Sequence, residues 1–266
     1  MTVFDHSIAL SRGDDGAWHG QTSPEYANMV GPFGGWIAAI CMKAVLDEPS
    51  RLGDPIALTL NFMGPIADGA FRITTRLSRR NRSTEFWLVE LVQGEGETLQ
   101  TAIQAMVTLG AHRETQGYVE IKMPDVPGPE AAQRAPLREG GPKWFAQFDN
   151  RWLSGPPFQG HVEGRSRQWA RLADPRPLDA VLLTAIADLM PPRTFFHFST
   201  ITPSSTISMS VYFHATPSEM AEIGDQHVLI DSAGRYGARG FCDHEARVWA
   251  PDGRLLATTE QVVWFK

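Results

Sequence analysis

Residues 31–46 read GPFGGWIAAICMKAVL, and this segment decides the architecture of the 266-residue chain. From Trp36 to Leu46 the only charged side chain is that of Lys43. A helix that is apolar around nearly its whole circumference is buried on most sides. Gly34 and Gly35 lower helix propensity, so we interpret them as positions where another part of the backbone approaches closely. The segment therefore predicts a buried central helix behind a glycine pair.

Strand-like segments follow this helix in series. They are Ile56–Phe62, Phe71–Leu77, Glu85–Gln93 and Leu99–Leu109. Gly, Asp, Asn and Ser residues separate them, as hairpin turns require. The first half therefore predicts one helix packed against an antiparallel sheet.

The second half repeats this organisation. An apolar-rich segment, Leu178–Met190, predicts a helix that Pro191 and Pro192 close. The strands predicted after it are Thr206–Phe213, His227–Ser232, Gly240–Trp249 and Arg254–Phe265. Overlaying the two closing hairpins aligns Gly96-Glu97-Thr98-Leu99 with Gly253-Arg254-Leu255-Leu256 and Gln104 with Gln261; Phe62 corresponds to Phe213 if Ser218–Gln226 forms a longer loop. The chain is thus predicted to be α+β, with one structural unit present twice.

The units are predicted to be joined by a linker. Pro and Gly are dense in residues 121–142, from Met123-Pro124-Asp125-Val126-Pro127 to Gly140-Gly141-Pro142. We therefore assign residues 1–120 to an N-terminal unit, 121–142 to the linker and 143–266 to a C-terminal unit. Pairing the two units would protect their strand edges.

Composition narrows the class of protein. The chain is 42% hydrophobic and 20% charged, which is typical of a globular protein, and its formal charge of −6 argues against non-specific nucleic-acid binding. Cys41 and Cys242 have apolar or aromatic neighbours, which favours free thiols over a disulfide framework. The first ten residues show no secretory signal, and no apolar run reaches the length of a membrane span. We expect a soluble cytoplasmic protein.

Three polar residues stand out against the predicted core. Asp188 falls at the margin of the apolar stripe of the second helix, where a buried carboxylate needs partners or a raised pKa, although a solvent-facing aspartate is an equal alternative. Gln261 shares a strand face with mainly apolar residues; a structural glutamine bonded to backbone is the commoner explanation for such a residue. Thr206 opens the next strand and by itself indicates nothing.

Familiar catalytic motifs are missing. The histidines lack metal-ligand spacing, and Asp243-His244-Glu245 is neither a zinc motif nor a catalytic pair. Gly164-Arg165-Ser166-Arg167-Gln168 lacks the last glycine of a nucleophile elbow, which argues against an α/β-hydrolase. No phosphate-loop or dinucleotide-binding fingerprint occurs. We expect neither a metal nor a cofactor.

Taken together, several segments resemble the acyl-CoA thioesterase II family, in which two hotdog units share one chain. The carrying residues are Gly34-Gly35, Asn61-Phe62-Met63-Gly64-Pro65, Ala187-Asp188, Thr206-Ile207 and the block DGRLLATTEQ at 252–261. The resemblance extends over nearly the whole chain except the linker, and the last block is its most specific part. It implies a double-hotdog fold, acyl-CoA as substrate, a role in lipid metabolism and a homodimer.

The resemblance also implies roles for particular residues. That family uses an aspartate, a threonine and a glutamine of its second unit to orient a water molecule, and these fall on Asp188, Thr206 and Gln261. Backbone N–H groups of Gly34 and Gly35 are candidates for an oxyanion hole. The densest basic run, Arg79-Arg80-Asn81-Arg82, is a candidate for the CoA phosphates, although an exposed turn is the commoner role of such a run.

Two alternatives remain open at the level of sequence. One is a hotdog hydratase or dehydratase, but Asp174-Pro175-Arg176-Pro177-Leu178-Asp179 lacks the histidine of the hydratase motif. The other is a non-catalytic protein that binds acyl thioesters. The sequence also differs from the family's best-known enzymes in one respect. After Thr206 it continues with Ser208-Met209, where those enzymes have more polar residues beside the threonine.

Overall fold

A computed structural model of the chain describes residues 1–137, 139–154, 157–158, 163–198 and 200–266. The helices found there are α1 (Val3–Ser7), α2 (Gly34–Leu46), α3 (Ala180–Ile186), α4 (Thr194–His197) and α5 (Pro217–Ile223). The strands are β1 (Ser11–Arg12), β2 (Trp18–Gln21), β3 (Asp54–Phe62), β4 (Ala70–Arg80), β5 (Thr84–Gln93), β6 (Gln100–Gly110), β7 (Gln133–Arg134), β8 (Phe148–Trp152), β9 (Ser166–Leu172), β10 (Ser204–Phe213), β11 (Val228–Ala233), β12 (Gly237–Ala238), β13 (Phe241–Trp249) and β14 (Leu255–Phe265).

The described strands form one antiparallel sheet in which the two halves of the chain meet. β3 of the first half pairs with β10 of the second, with Thr59 opposite Ser210. Outward from β3 the order is β6, β5, β4 and β2; outward from β10 it is β14, β13, β11 and β9. Each half thus has its strands in the same relative order, and each has a core helix, α2 or α3, before its central strand. The predicted α+β repeat is confirmed.

The helix predicted from residues 36–46 is buried as expected, and it begins at Gly34. A side chain built at Gly35 would lie 2.6 Å from the carbonyl oxygen of Ala185, so the first turn of α2 touches the end of α3. Only a residue without a Cβ permits this approach. The predicted close backbone contact is confirmed at Gly35, where it joins the two halves, whereas the close neighbours of Gly34 are the side chains of Asp188 and Phe62.

A single apolar core runs through both halves. It includes Trp36 and Leu60 from the first and Leu183 and Val211 from the second. Within the described residues, no helix is long and apolar enough to cross a membrane.

A smaller apolar cluster lies on the outer face of the second half. Trp169, Leu229 and Trp249 are buried there, and Met123 and Val126 pack against them. The indole N–H of Trp169 donates to the carbonyl oxygen of Pro127 at 2.9 Å, and β7 adds a short strand beside β8. Part of the predicted linker is therefore attached to the second half. The boundaries at residues 120 and 142 stay predictions.

Two predictions about local structure were wrong. The helix predicted over Leu178–Met190 occupies only Ala180–Ile186, and the segment predicted as a loop over Ser218–Gln226 contains most of α5. Thr216 caps α5 through its hydroxyl, which accepts from the N–H of Glu219, and Pro217 occupies the first turn. This local signal for a helix start is readable in the sequence.

The overlay of Gln104 on Gln261 was also wrong. Phe62 lies opposite Ile103 and Phe213 lies opposite Ala257, so the position equivalent to Gln104 is Thr258. Gln104 is exposed and bonds to Glu90, whereas Gln261 is buried. The offset chosen from the hairpin turns differs from the offset of the paired strands by an odd number of residues. Because side chains alternate between the two faces of a sheet, such an error assigns each residue to the wrong face.

Candidate active site

Asp188, Thr206 and Gln261 form one continuous chain of hydrogen bonds. The hydroxyl of Thr206 donates to Oε1 of Gln261 at 3.0 Å. Nε2 of Gln261 donates to Oδ1 of Asp188 at 2.7 Å. Because the amide donates at one end and accepts at the other, the two bonds fix its orientation. The last acceptor in this chain of hydrogen bonds is the carboxylate of Asp188, which has no proton to donate further.

The carboxylate lies in a turn and not inside a helix. α3 ends at Ile186, and Asp188 continues only through a bond from its N–H to the carbonyl oxygen of Ala185, at 3.2 Å. The expectation that Asp188 lies late in the helix was therefore wrong, because the helix ends two residues before it. Outside the helix, the direction of the side chain is set by its neighbours in space rather than by helical periodicity.

Thr206 faces Gln261 because its strand contains a β-bulge. The register of β10 against β14 shifts between Thr206 and Ser208. Met209, Val211 and Phe213 face the core, so strict alternation would turn Thr206 to the other face. The extra residue reverses the alternation and places Thr206 opposite Val263, on the inner side. The strand also begins at Ser204, two residues before the predicted start.

Gln261 lies on the inner face of β14, as strand alternation predicted. It is 4% exposed, and its apolar neighbours Ala257 and Val263 are buried on the same face. In the register of the sheet it lies between Met209 of β10 and His244 of β13. The amide does find side-chain partners, and its bond to Asp188 distinguishes it from a glutamine that only satisfies backbone groups.

Burial dominates the electrostatics of Asp188. It raises the pKa of the carboxyl group from 3.8 to about 7, although the amide of Gln261 and the backbone N–H of Gly35 act in the opposite direction. The residue as a whole keeps some exposure, so it is the carboxyl group that is withdrawn from water. A carboxylate with a pKa near neutrality exchanges a proton readily at neutral pH, as a general base must.

The glycine pair lies directly against this carboxyl group. A side chain at Gly34 would lie 2.8 Å from Oδ2 of Asp188 and 3.3 Å from the ring of Phe62. The N–H of Gly35 bonds to the carboxylate. The structure thus gives the Gly35 amide a different partner from the oxyanion that the sequence suggested. Gly34 as an oxyanion donor stays a prediction.

The basic run lies at the far end of α2. Arg80 donates to Glu85 at 2.6 Å and to the carbonyl oxygen of Ser50, four residues beyond the helix. A helix of 13 residues is about 20 Å long, which separates this run from Gly34. Arg79 and Arg82 are exposed. Contact of Arg79, Arg80 and Arg82 with CoA phosphates stays a prediction, and Arg80 is the residue already engaged elsewhere.

The equivalent positions in the first half carry no polar group. Ile103 and Ala257 occupy equivalent positions, opposite Phe62 and Phe213. Four residues after each of them stand Val107 and Gln261, which are therefore equivalent. The helix of the first half, α2, contains no acidic residue, and Met42 in its second half is buried. Both Met42 and Val107 are fully buried. A second copy of the hydrogen-bonded chain is therefore excluded at these positions.

Comparison with known proteins agrees with this architecture. The family model of the acyl-CoA thioesterase N-terminal domain matches residues 23–110, and that of the C-terminal domain matches residues 123–265. No curated protein sequence matches the chain.

Solved structures show the same fold. A conserved protein of unknown function with a hot dog fold from Alicyclobacillus acidocaldarius is 35% identical, with a TM-score of 0.95 over 100% of this chain and 98% of that one. An acyl-CoA thioesterase II from Mycobacterium marinum is 16% identical, with a TM-score of 0.78 over 99% and 98% of the two chains. The dehydratase domain of PpsC from Mycobacterium tuberculosis, solved with C12:1-CoA, is 14% identical, with a TM-score of 0.55 over 98% and 99%.

The predicted double-hotdog fold is confirmed by these structures. The two domain models match in the order expected for that fold and together cover most of the sequence. The chain belongs to the acyl-CoA thioesterase family.

Proposed function

We propose that this protein hydrolyses an acyl-CoA thioester to the free acid and CoA by direct attack of a water molecule, with Asp188 as general base. The observation that carries the proposal is the directed chain from Thr206 through Gln261 to Asp188. It ends at a carboxyl group whose pKa is raised to about 7 by burial. Family membership supports acyl-CoA as the substrate.

The chemistry needs no nucleophilic side chain. A thioester carbonyl is electrophilic enough for water to attack once a base removes a proton from it. Asp188 takes this proton while the water oxygen bonds to the carbonyl carbon. The tetrahedral intermediate then collapses, the C–S bond breaks, and the proton passes from Asp188 to the CoA sulfur. The products are a carboxylic acid and the thiol.

Gln261 and Thr206 position the water. One N–H of the Gln261 amide is bonded to Asp188, which leaves its second N–H to hold the water oxygen. The hydroxyl of Thr206 donates to the amide and keeps its lone pairs for a water hydrogen. The first turn of α2, beside the carboxylate, carries partial positive charge that favours a developing oxyanion.

Two other functions compete with this proposal. A hydratase or dehydratase shares the fold, as the dehydratase domain of PpsC illustrates. Such a reaction on this scaffold would need an acid–base pair beside Asp188. His244, which lies opposite Gln261 in the sheet, instead accepts from the backbone N–H of Arg193. A protein that binds acyl thioesters without turnover is the second competitor.

The decisive assay is release of free thiol from acyl-CoAs of several chain lengths. Wild type is compared with Asp188→Ala and Gln261→Ala. Gln104→Ala is a matched control, because Gln104 is an exposed glutamine on the corresponding strand of the first half. Asp47→Ala is the second, because Asp47 follows α2 directly and bonds to Lys43. We expect loss of most activity in the two site variants and full activity in the two controls.

The same assay separates the competing functions. Absence of thiol release with every acyl-CoA would remove thioester hydrolysis, and hydration of a 2-enoyl-CoA, followed by its absorbance, would replace it with the hydratase. Saturable binding without either reaction would establish the binding protein. Full activity of Asp188→Ala would remove the mechanism while leaving the reaction.

The cytoplasmic location, the homodimer and the role in lipid metabolism stay predictions. The mechanism itself depends on none of them, because Asp188, Thr206, Gln261 and Gly35 all belong to one chain.

A further inference from the structure

The turn that carries Asp188 has backbone support at its start. The N–H of Asp188 bonds to the carbonyl oxygen of Ala185 at 3.2 Å, and that of Leu189 bonds to the carbonyl oxygen of Ile186 at 3.0 Å. Pro191 and Pro192, farther along, have no N–H to donate. The later part of the turn therefore depends on contacts from outside it.

A buried arginine, Arg193, lies at the C-terminal end of this turn and bonds to its backbone. Arg193 is 2% exposed, and its guanidinium bonds to the carbonyl oxygen of Pro191 at 2.6 Å and to that of Gly164 at 2.8 Å. It also donates twice to the hydroxyl of Ser166, at 3.1 Å in each case. Among the residues that the structure describes, no carboxylate lies within ion-pair distance of it. A buried cation with only neutral acceptors is costly, so its retention calls for a reason.

A buried histidine fixes the backbone of the same residue. The N–H of Arg193 donates to Nε2 of His244 at 3.0 Å. Burial and the neighbouring guanidinium lower the pKa of His244 to about 3, so the ring is neutral and Nε2 is free to accept. His244 is 3% exposed.

The two ends of the turn are thus attached to one pair of strands. His244 of β13 lies directly opposite Gln261 of β14, and both side chains are buried on the inner face. Gln261 bonds to Asp188 at the start of the turn, and His244 bonds to Arg193 at its end. A shift of His244 or Arg193 would displace the carboxylate relative to the amide that orients it.

We propose that Arg193 and His244 are positioning residues of the active site, which hold the turn 188–193 so that Asp188 meets Gln261 and the amide of Gly35. They act through the turn and touch neither the water nor the substrate. The inference rests on the proposed function for its kinetic consequences, whereas its structural consequence, the environment of the Asp188 carboxyl, is measurable without any turnover.

The test replaces the acceptor of the Arg193 N–H. His244→Leu removes it, and His244→Gln returns an acceptor at a similar distance from the backbone. His227→Leu is the matched control: His227 is also a buried histidine, 6% exposed, it directly precedes β11, and it bonds to Asp149 instead of the turn. If His244→Leu does not fold, His244→Asn replaces it, because its shorter amide does not reach the backbone of Arg193.

Two quantities are measured for each folded variant. One is the pKa of Asp188, from the ¹³C chemical shift of its carboxyl carbon against pH. The other is the pair kcat and KM for acyl-CoA hydrolysis. In His244→Leu we expect the pKa of Asp188 to rise by about one pH unit, because its hydrogen-bond donors are displaced while burial persists. We expect kcat to fall about 10- to 100-fold with KM little changed.

His244→Gln should restore both quantities, and His227→Leu should leave both at their wild-type values. An unchanged Asp188 pKa in His244→Leu overturns the inference, as does an equal change in His227→Leu, which would indicate a general effect of destabilisation. If the wild type releases no thiol, the proposed function fails, and the carboxyl titration alone still decides whether the turn is held in this way.

Discussion

Replacing Asp188 with asparagine should make the protein more stable at neutral pH and less active at the same time. Burial raises the pKa of this carboxyl group from 3.8 to about 7 in the folded chain. The folded protein therefore binds the proton more tightly than the unfolded chain, and between these two pH values the folded state holds more protons. Stability consequently falls as the pH rises from about 4 to about 7.

The size of the effect follows from the two pKa values. One pH unit of displacement corresponds to about 1.4 kcal/mol, so ionising Asp188 in the folded protein costs at most about 4 kcal/mol. Asparagine avoids this ionisation, yet its amide N–H₂ needs new partners. We therefore expect the free energy of unfolding of Asp188→Asn to exceed that of wild type above pH 7 by about 2 kcal/mol, half of this limit. For a chain of this size that raises Tm by about 4–8 °C.

The assay is thermal unfolding of Asp188→Asn and wild type in parallel from pH 4 to pH 8. Taking the difference between the two proteins cancels every other titrating group. At pH 4 the carboxyl group of Asp188 is protonated in the folded protein, so only the cost of the asparagine amide remains and Asp188→Asn should be less stable than wild type by about 2 kcal/mol. The difference should change sign and then grow in favour of Asp188→Asn up to about pH 7. Asp252→Asn is the control, because Arg254 lowers the pKa of the exposed Asp252 and its replacement should cost stability as the pH rises. A difference in Tm that is constant over this range, or a less stable Asp188→Asn at pH 8, would refute the reasoning.

Three further changes test neighbouring parts of the site. Gly35→Ala introduces a Cβ 2.6 Å from the carbonyl oxygen of Ala185 and should cost about 1–3 kcal/mol in denaturant unfolding, with kcat lowered because the amide moves away from the carboxylate. Thr206→Val keeps the shape but leaves Oε1 of Gln261 unpaired, so kcat in the thiol-release assay should fall about 10-fold; an unchanged kcat would exclude a role for the hydroxyl. Replacing Arg79 and Arg82 together with alanine should raise KM for acyl-CoA and leave KM for an acyl-pantetheine unchanged, whereas equal effects on both substrates would place the phosphates elsewhere.

The fold was predictable where burial leaves a simple pattern. The apolar run from Trp36 to Leu46 and the hairpins after it were found because their side chains face a core. β8 and β9 were not found, since Phe148–Trp152 carries Asp149 and Arg151 on one face and a buried asparagine, Asn150, on the other. A strand with polar side chains on both faces has no alternation to read.

The end of α3 was unpredictable for a related reason. Apart from Asp188, the sequence remains apolar and helix-compatible up to Met190, but the chain leaves the helix at Ile186. The side chain of Gln168, in β9, donates to the carbonyl oxygen of Leu189 at 3.3 Å. This contact comes from a strand that precedes the helix in the sequence, and it competes with local helix propensity.

The grouping of the candidate site residues was predictable in residue type but not in geometry. Resemblance supplied Asp188, Thr206 and Gln261, and strand alternation supplied the inner face of Gln261. The same alternation would have turned Thr206 away from Gln261, and only the bulge between Thr206 and Ser208 corrects it. A bulge has no reliable sequence signature here, because Ile207 is an ordinary strand residue.

The proposed active site also gives a reason why the two halves of the chain are not interchangeable. Asp188, Thr206 and Gln261 come from the second half, but the N–H that bonds to Asp188 comes from Gly35 of the first. The first half carries no acidic residue in α2 and supplies instead the start of that helix, placed end-on against the carboxylate. In the proposed site each half therefore contributes something different: the second half the proposed acid–base group, the first half a backbone donor and the helix dipole. Because the repeated unit occurs twice in a single chain, the two copies can differ in sequence at the positions of the site while they still pair through β3 and β10.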